Sequence, residues 1–176
     1  QGNVYNSTFI ENKAATGGAV SVGNESGLFN ITRSGFIKNT ANFVGGAIDI
    51  EGSSVSLNNS YFRENTASEG GALFVGGVGE SNFIYDSYFT SNVATNGKGG
   101  AINWNASAGQ IFDSNFTNNS ALYGGAMYIG GNSANSQIVN VVFTANNATF
   151  NGGAIDWNAT GGKLYNNTFI SNYAGD

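Results

Sequence analysis

Apolar and polar residues alternate in short runs, and the same runs return along the whole chain. Six runs follow a Gly-Gly pair and read Ala, apolar, a mostly polar position, apolar, at 19–22, 47–50, 72–75, 101–104, 126–129 and 154–157. Alternation with a period of two is typical of β-strands. One column of side chains is therefore predicted to face the core and the other to face solvent. The predicted outer column consists of Ser21, Asp49, Phe74, Asn103, Tyr128 and Asp156.

A second motif, F-x-x-N-x-A, alternates with the first along the chain. Its copies begin at Phe9, Phe36, Phe62, Phe89, Phe116, Phe143 and Phe169, with spacings of 26 or 27 residues. An aliphatic residue stands five positions before each Phe, and a polar residue, usually Asn or Asp, stands three positions before it. The aliphatic position predicts another strand, and the Phe opens a short third strand whose ring is predicted to stack, inside the solenoid, on the Phe rings of neighbouring coils. The polar position predicts a turn, because Asn and Asp accept left-handed backbone geometry.

Three short strands and three corners per period predict a coil that advances by one strand spacing, about 4.8 Å. Units with a period in this range stack and bury a shared core. We therefore predict an all-β fold, a right-handed parallel β-helix of about seven coils of 27 residues, as one domain over residues 1–176. The gap from the Ala of Gly-Gly-Ala to the next Phe alternates between 17 and 15 residues, so the full repeat is a two-coil unit of about 53 residues.

The composition argues against several function classes. The chain of 176 residues contains 27 Gly and 28 Asn, no Cys, His or Pro, and has a formal net charge of −5. Its six basic residues are scattered, so we expect no nucleic-acid partner. No apolar run is long enough for a membrane-spanning helix. Without His and Cys, nucleophilic triads and zinc sites lose their usual members, and we expect no cofactor.

The pairing of F-x-x-N with G-G-A and a following Ile, Leu or Val resembles the repeats of the chlamydial polymorphic membrane proteins. It is equally similar to the repeats of adhesin-like surface proteins of methanogenic archaea. The resemblance extends from Phe9 to Ala174. It implies a β-helix displayed outside the cell for adhesion or surface architecture. The partners that it implies are glycans or proteins of a host or neighbouring cell, or further copies bound end to end.

We therefore expect a non-catalytic segment of a longer extracellular surface protein. One alternative is a structural subunit of a filament or stalk assembled head to tail. Another is a polysaccharide lyase or hydrolase of pectate-lyase-like fold, which would need clustered acids, or acids beside a Lys or Arg base. Asp49, Asn103 and Asp156 share a column but are predicted to stand two coils apart, roughly 10 Å. The residues repeated in every coil are interpreted as core, ladder and turn positions, since a catalytic residue should occur once.

Two further groups of residues are candidates for binding. Asp86 and Asp113 occupy one turn position in successive coils, so their Cα atoms are predicted to lie roughly 5 Å apart and form a weak candidate for a Ca²⁺ site. The alternative is two solvated turn residues.

Exposed aromatic rings can stack on sugars or proteins, and the alternative for them is packing over the coil edge. The candidate aromatic residues are Phe74, Tyr128, Phe43, Tyr123 and Phe150.

Ten N-x-S/T sequons are candidate glycan acceptors where the source glycosylates its proteins. They begin at Asn6, Asn24, Asn30, Asn58, Asn105, Asn115, Asn118, Asn147, Asn158 and Asn166. Asn6 and Asn166 are favoured because they stand at the polar turn before a Phe strand.

The chain starts and stops in register with the repeat, and no polar cap is recognisable. Solenoids need such caps, or their last coils expose strand edges and apolar side chains. We expect either that the chain is a segment of a longer repeat protein or that neighbouring subunits complete its end coils by strand addition.

Overall fold

The computed structural model describes residues 2–23, 27–52, 54–77, 82–106, 108–131 and 135–175. In these ranges the chain forms 27 β-strands and no helix, and the strands belong to four parallel sheets. Each coil contributes one strand to each sheet in turn, which gives six full coils and three strands of a seventh. The predicted parallel β-helix with about 27 residues per coil is confirmed.

We number the sheets by their order along a coil. Sheet 1 contains Gly2–Tyr5, Leu28–Thr32, Ser54–Asn58, Asn82–Tyr85, Gly109–Phe112, Gln137–Val139 and Lys163–Tyr165. Sheet 2 contains Thr8–Ile10, Gly35–Ile37, Tyr61–Arg63, Tyr88–Thr90, Asn115–Thr117, Val142–Thr144 and Thr168–Ile170. Sheet 3 contains Lys13–Ala14, Thr40–Ala41, Thr66–Ala67, Val93–Ala94, Ser120–Tyr123, Asn147–Asn151 and Tyr173–Ala174. Sheet 4 contains Val20–Val22, Ile48–Glu51, Leu73–Gly76, Ile102–Trp104, Met127–Ile129 and Ile155–Trp157.

Sheet 3 corrects the prediction of three strands per coil, because each coil has four. Its strands carry the Ala of F-x-x-N-x-A, and Thr66–Ala67 pairs in register with Val93–Ala94. A left-handed residue, Glu64 at φ 56°, separates that strand from the Phe strand before it. Gly70, at φ 60°, separates it from the next strand. These short segments look like corners in the sequence, but they are long enough to pair with the coils on either side.

The phenylalanine rings form one stack through the core. Adjacent ring centroids are 4.7 to 5.1 Å apart, and the angles between ring planes are 2 to 14°. The rings from Phe36 to Phe143 are fully buried. Phe9 is partly buried, and Phe169 is 47% exposed because it stacks on Phe143 with one face only. The predicted stack is confirmed, with the ring of Phe169 half open to solvent.

The asparagines of F-x-x-N-x-A form a ladder, and the side chains of its five inner members, Asn39, Asn65, Asn92, Asn119 and Asn146, are buried and fully hydrogen-bonded. Asn92 Nδ2 donates to Phe62 O on one side at 3.1 Å and to Asn119 Oδ1 on the other at 3.0 Å. Asn92 Oδ1 accepts from the backbone N–H and from Nδ2 of Asn65, both at 3.0 Å. Both amide hydrogens and both lone pairs are thus used, as a buried amide requires.

A second ladder, of serines, was not predicted. It stands two residues before the Phe, where Ser34, Ser60, Ser87 and Ser114 are buried. Each Oγ accepts the backbone N–H of the serine one coil earlier, as in the 3.1 Å bond from Ser34 N to Ser60 Oγ. Each hydroxyl also donates to the carbonyl two residues before it. The residue between that carbonyl and the serine has the predicted left-handed geometry in all seven coils, with Asp86 at φ 47° as one example.

Candidate ligand-binding cleft

The residues directly before the glycine pairs form a column at the corner between sheets 3 and 4, which we call the pre-glycine column. Its members are Thr16, Val44, Glu69, Lys98, Tyr123 and Asn151. They stack in register, since Val44 bridges Glu69, Lys98 bridges Tyr123, and Tyr123 pairs with Asn151. The first glycine of each pair then turns the chain into sheet 4 with a left-handed backbone, as at Gly99 with φ 67°.

Pre-glycine side chains reach over the outer face of sheet 4 in the next coil. Glu69 Oε2 accepts a 2.8 Å hydrogen bond from Asn103 Nδ2. Lys98 Nζ lies 3.3 Å from Tyr128 Oη and 4.3 Å from the centroid of the Tyr128 ring. In the first coils, Thr16 acts as a hydrogen-bond donor towards the carboxylate of Asp49 and opposes the rise of its pKa. The outer column of sheet 4 is therefore covered by side chains from the coil before it.

This covering corrects the prediction that the outer column of sheet 4 faces solvent. Asp49, Asn103 and Tyr128 are 2%, 0% and 5% exposed. Ser21 is exposed, as predicted, while Phe74 and Asp156 are half-buried. The alternation correctly indicated that these side chains point away from the core. It carried no information about the pre-glycine residues that cover them.

Asp49 shows the electrostatic consequence of being covered. Burial raises the pKa of its carboxyl to about 6, the Thr16 hydrogen bond opposes this shift, and the negative charge of Glu51 adds to it. Its Oδ1 is buried and has no hydrogen-bond partner among the described residues. The fold therefore makes this carboxyl easier to protonate than an exposed aspartate.

In the coils that follow Lys98, side chains no longer fill this corner, and a cleft of about 260 Å³ lies on the outside of the solenoid. Its lining residues are Lys98, Tyr123, Tyr128, Asn151, Asp156 and Asn158. Sheet 3 and the corner after it form one wall of the cleft. Sheet 4 forms the other wall through Tyr128 and Asp156, which pair in register. Asn158 follows directly after the last sheet 4 strand. Three successive coils thus contribute to one site.

The polar groups of the cleft meet around the hydroxyl of Tyr128. Lys98 Nζ lies at 3.3 Å from this oxygen, and Asn158 Nδ2 donates to it at 3.1 Å. Burial raises the pKa of Asp156, and the positive charge of Lys98 opposes the increase. Lys98 and Asp156 thus line the same cleft with opposite charges. A cation, a carboxylate, a phenol and two amides are within reach of one small ligand.

The five candidate aromatic residues separate into three groups. Tyr123 and Tyr128 line the cleft, and Phe150 lies beside it with its ring centroid 5.3 Å from that of Tyr123, at an angle of 37°. Phe43 is 63% exposed and has the same repeat position as Phe150, but it lies four coils away, roughly 19 Å. Phe74 is half-buried on sheet 4, outside the cleft. The structure thus places three of the five rings together.

The weak metal candidate remains an unsupported prediction. Asp86 is half-buried and Asp113 is exposed, and both have the left-handed turn geometry. One oxygen of Asp113 accepts a 3.0 Å hydrogen bond from Asn140 Nδ2. Within the described ranges, no three His, Cys, Asp or Glu side chains gather as a metal site would need. A Ca²⁺ ion, which takes six to eight oxygen ligands, would have to complete its shell from elsewhere.

The sequon asparagines differ in how available their Nδ2 atoms are for a glycan. Asn24 lies outside the described residues. Among the others, Asn30, Asn105, Asn158 and Asn166 donate through Nδ2 to another side chain. Asn115 is half-buried. The exposed sequon asparagines without a side-chain hydrogen bond in the described structure are Asn6, Asn58, Asn118 and Asn147. Of the two favoured acceptors, Asn6 is therefore the better placed.

Comparison of the chain with protein-family models, with curated proteins and with solved structures finds no match. The described part of the chain also contains no helix that could cross a membrane. Function must therefore be argued from the residues of the cleft. Lys98, Asn151, Asp156 and Asn158 were not predicted to meet there. One signal was available: the pre-glycine position changes chemical type in every coil, from Thr to Val, Glu, Lys, Tyr and Asn.

Proposed function

We propose that this chain is a non-catalytic binding segment of an extracellular or cell-surface β-solenoid, and that it works by adhesion. The observation that carries this proposal is the contrast between the repeated residues and the cleft. The repeated Phe, Asn, Ser and Gly positions are used by the fold, through the ring stack, the two ladders and the corners. The cleft is lined largely by residues at positions that vary from coil to coil, above all the pre-glycine residues Lys98, Tyr123 and Asn151.

The resemblance of the F-x-x-N and G-G-A repeats to those of surface adhesins supports the same proposal. A rigid solenoid suits this role because its surface is extended and each coil contacts mainly its neighbours, so side chains can vary at one corner without disturbing the core. The exposed sequons at Asn6, Asn58, Asn118 and Asn147 fit an extracellular location.

Adhesion can be tested with the purified chain, labelled and applied to arrayed glycans and to intact cells. We expect saturable binding that Tyr123→Ala, in the wall of the cleft, weakens. The matched control is Phe43→Ala, which removes an exposed ring from the same corner of another coil. Equal binding by the parent and both variants would contradict a role for the cleft, and no binding to any surface would contradict adhesion.

One feature of the cleft favours polysaccharide cleavage as a second candidate. Lys98 and Asp156, a potential base and a potential acid, line the same small cleft as the hydroxyl of Tyr128. General acid–base catalysis needs such groups within hydrogen-bond reach of the substrate. Incubation with polysaccharides, followed by assays for new reducing ends and for unsaturated products, separates the two functions. The adhesive proposal expects no turnover; turnover that Asp156→Asn abolishes would replace it with an enzyme.

A further inference from the structure

The aromatic surface of the cleft is at its rim. Lys98 covers the Tyr128 ring at 4.3 Å, and Tyr128 is 5% exposed, so this residue presents its hydroxyl to the cleft and keeps its ring face covered. Tyr123 is half-buried, and its neighbour Phe150 is 46% exposed. The tilted Tyr123–Phe150 pair therefore forms an apolar wall above a polar floor. A ligand that fits this arrangement has one apolar face and a polar edge.

The charges of the cleft indicate a ligand without net charge. Lys98 and Asp156 line the same cleft with opposite charges. An anionic ligand would gain the attraction of Lys98 but would bring its charge close to Asp156. A cationic ligand would be attracted to Asp156 but would bring its charge close to Lys98. Neutral hydroxyl groups meet neither conflict, because each hydroxyl can donate to the carboxylate and accept from an ammonium or amide N–H.

The size of the cleft limits the ligand to about one ring. Its volume of about 260 Å³ lies just below the range of roughly 300 to 1,000 Å³ typical of pockets for drug-sized molecules. We propose that the cleft binds one neutral pyranose unit of a glycan, with an apolar face of the sugar on Tyr123 and Phe150 and its hydroxyls on Tyr128, Asn151, Asp156 and Asn158. This inference rests on the proposed adhesive function and names the ligand class for it.

The test uses small probes of one ring each. Neutral methyl glycosides of glucose, galactose, mannose and N-acetylglucosamine are compared with the methyl glycosides of glucuronic and galacturonic acid, by titration calorimetry and by saturation-transfer NMR. We expect at least one neutral glycoside to bind, and its uronate counterpart to bind at least ten-fold more weakly. A uronate that binds more tightly than every neutral glycoside would overturn the inference.

Two variants locate the binding, and two matched variants serve as controls. Asp156→Asn removes the charge from a half-buried acceptor without changing its shape, and we expect about ten-fold weaker binding or more, as for the loss of a charge-assisted hydrogen bond. Tyr123→Ala removes the apolar wall and should weaken binding to a similar degree. Asp113→Asn makes the same change as Asp156→Asn, and Phe43→Ala likewise removes an aromatic ring; both are at exposed positions outside the cleft and should leave affinity unchanged. Thermal unfolding confirms that each variant is folded; should Tyr123→Ala unfold, Asp156→Asn and Phe150→Ala decide.

The results separate this inference from the proposed function. Adhesion to glycan surfaces that neutral glycosides do not inhibit, and that neither cleft variant weakens, would overturn the pyranose site and leave adhesion standing. Binding of a free glycoside in the cleft, without adhesion to any surface, would do the opposite. Failure of all neutral glycosides to bind, in calorimetry and in NMR at millimolar concentration, overturns the inference.

Discussion

Glu69 accepts a 2.8 Å hydrogen bond from Asn103, a fully buried residue that stands one coil further along the solenoid. Lys98 likewise contacts a residue of the next coil, Tyr128, through a cation–π contact with the ring and a 3.3 Å hydrogen bond to the hydroxyl. The Phe stack and the Asn ladder use the same residue types in every coil, so they stabilise the stacking of coils but cannot distinguish one coil from another. Pairs between the pre-glycine column and sheet 4 differ at each level. We infer that they specify which coils are neighbours.

Exchanging the two charged pre-glycine residues tests this idea. The double variant Glu69→Lys/Lys98→Glu keeps the composition and net charge, but it places an ammonium at Asn103 and a carboxylate against the Tyr128 ring. We expect a loss of about 2 to 4 kcal/mol in the free energy of unfolding, from a charged hydrogen bond and a cation–π contact. Urea denaturation measures it.

The matched control exchanges an exposed pair of the same types. Lys38 and Glu64 form a 3.7 Å ion pair with both side chains about half exposed. Their exchange, Lys38→Glu/Glu64→Lys, should change the stability by about 0.5 kcal/mol or less, because exposed ion pairs contribute little. Equal losses for the two exchanges would show that the pre-glycine pairs have no special role in register.

Truncating one ring of the Phe stack should be among the most destabilising single changes. Phe89 is fully buried and stacks on Phe62 and Phe116 at 4.8 and 4.7 Å. We expect Phe89→Ala to lower the free energy of unfolding by about 3 to 5 kcal/mol, through lost burial and the cavity left behind. Phe43→Ala, at an exposed ring, should change it by about 0.5 kcal/mol or less. A small loss at Phe89, measured by urea or thermal denaturation, would contradict a tightly packed stack.

The fold could be predicted because its main determinants repeat. Each Phe, each Asn and each glycine pair of the inner coils has the same environment, so seven copies of F-x-x-N-x-A and six of G-G-A report one local structure. The serine ladder was missed although Ser occupies that position in five of seven coils. Ser is common in turns, so its place beside the turn residue did not indicate a buried ladder. Sheet 3 was missed because a two-residue strand is too short for alternation to be recognised.

The cleft could be predicted only in part, because it depends on contacts between coils at positions that vary. Tyr123 and Tyr128 were candidate ligand contacts, and Asp156 was placed on the right face. What the sequence pattern did not indicate is that the pre-glycine residue lies over the next coil's outer residue. That contact depends on the direction of side chains at a corner, which alternation along a strand does not describe.

The asparagine ladder should not tolerate the loss of a side chain. Asn92→Ala removes four hydrogen bonds and leaves the Phe62 carbonyl and the Asn65 backbone N–H buried without these partners. Each buried polar group without a partner costs about 1 to 3 kcal/mol, so we expect a loss of at least about 3 kcal/mol. Asn42→Ala, at an exposed position, is the same change without these bonds. Similar unfolding midpoints for the two variants in urea would contradict the ladder's role.

Stability should depend on pH through Asp49. Its pKa of about 6 in the folded chain lies above the ordinary 3.8, so between these values the folded state binds more protons than the unfolded state. The contribution of Asp49 is therefore fully present below about pH 4 and is lost as the pH rises through 6, by up to about 3 kcal/mol. The negative charge of Glu51 acts in the same direction, and the Thr16 hydrogen bond opposes it.

Asp49→Asn removes this titration and keeps the shape of the side chain. We expect the urea midpoint of the parent chain to fall more steeply than that of the variant between pH 4 and pH 7. The pKa of Asp156 is also raised, so some dependence of the same sign should remain in the variant. Asp113→Asn, at an exposed turn, should reproduce the parent profile. Parallel profiles for the parent and Asp49→Asn would show that the carboxyl under the pre-glycine column stays ionised, and that its unpartnered oxygen is solvated in solution.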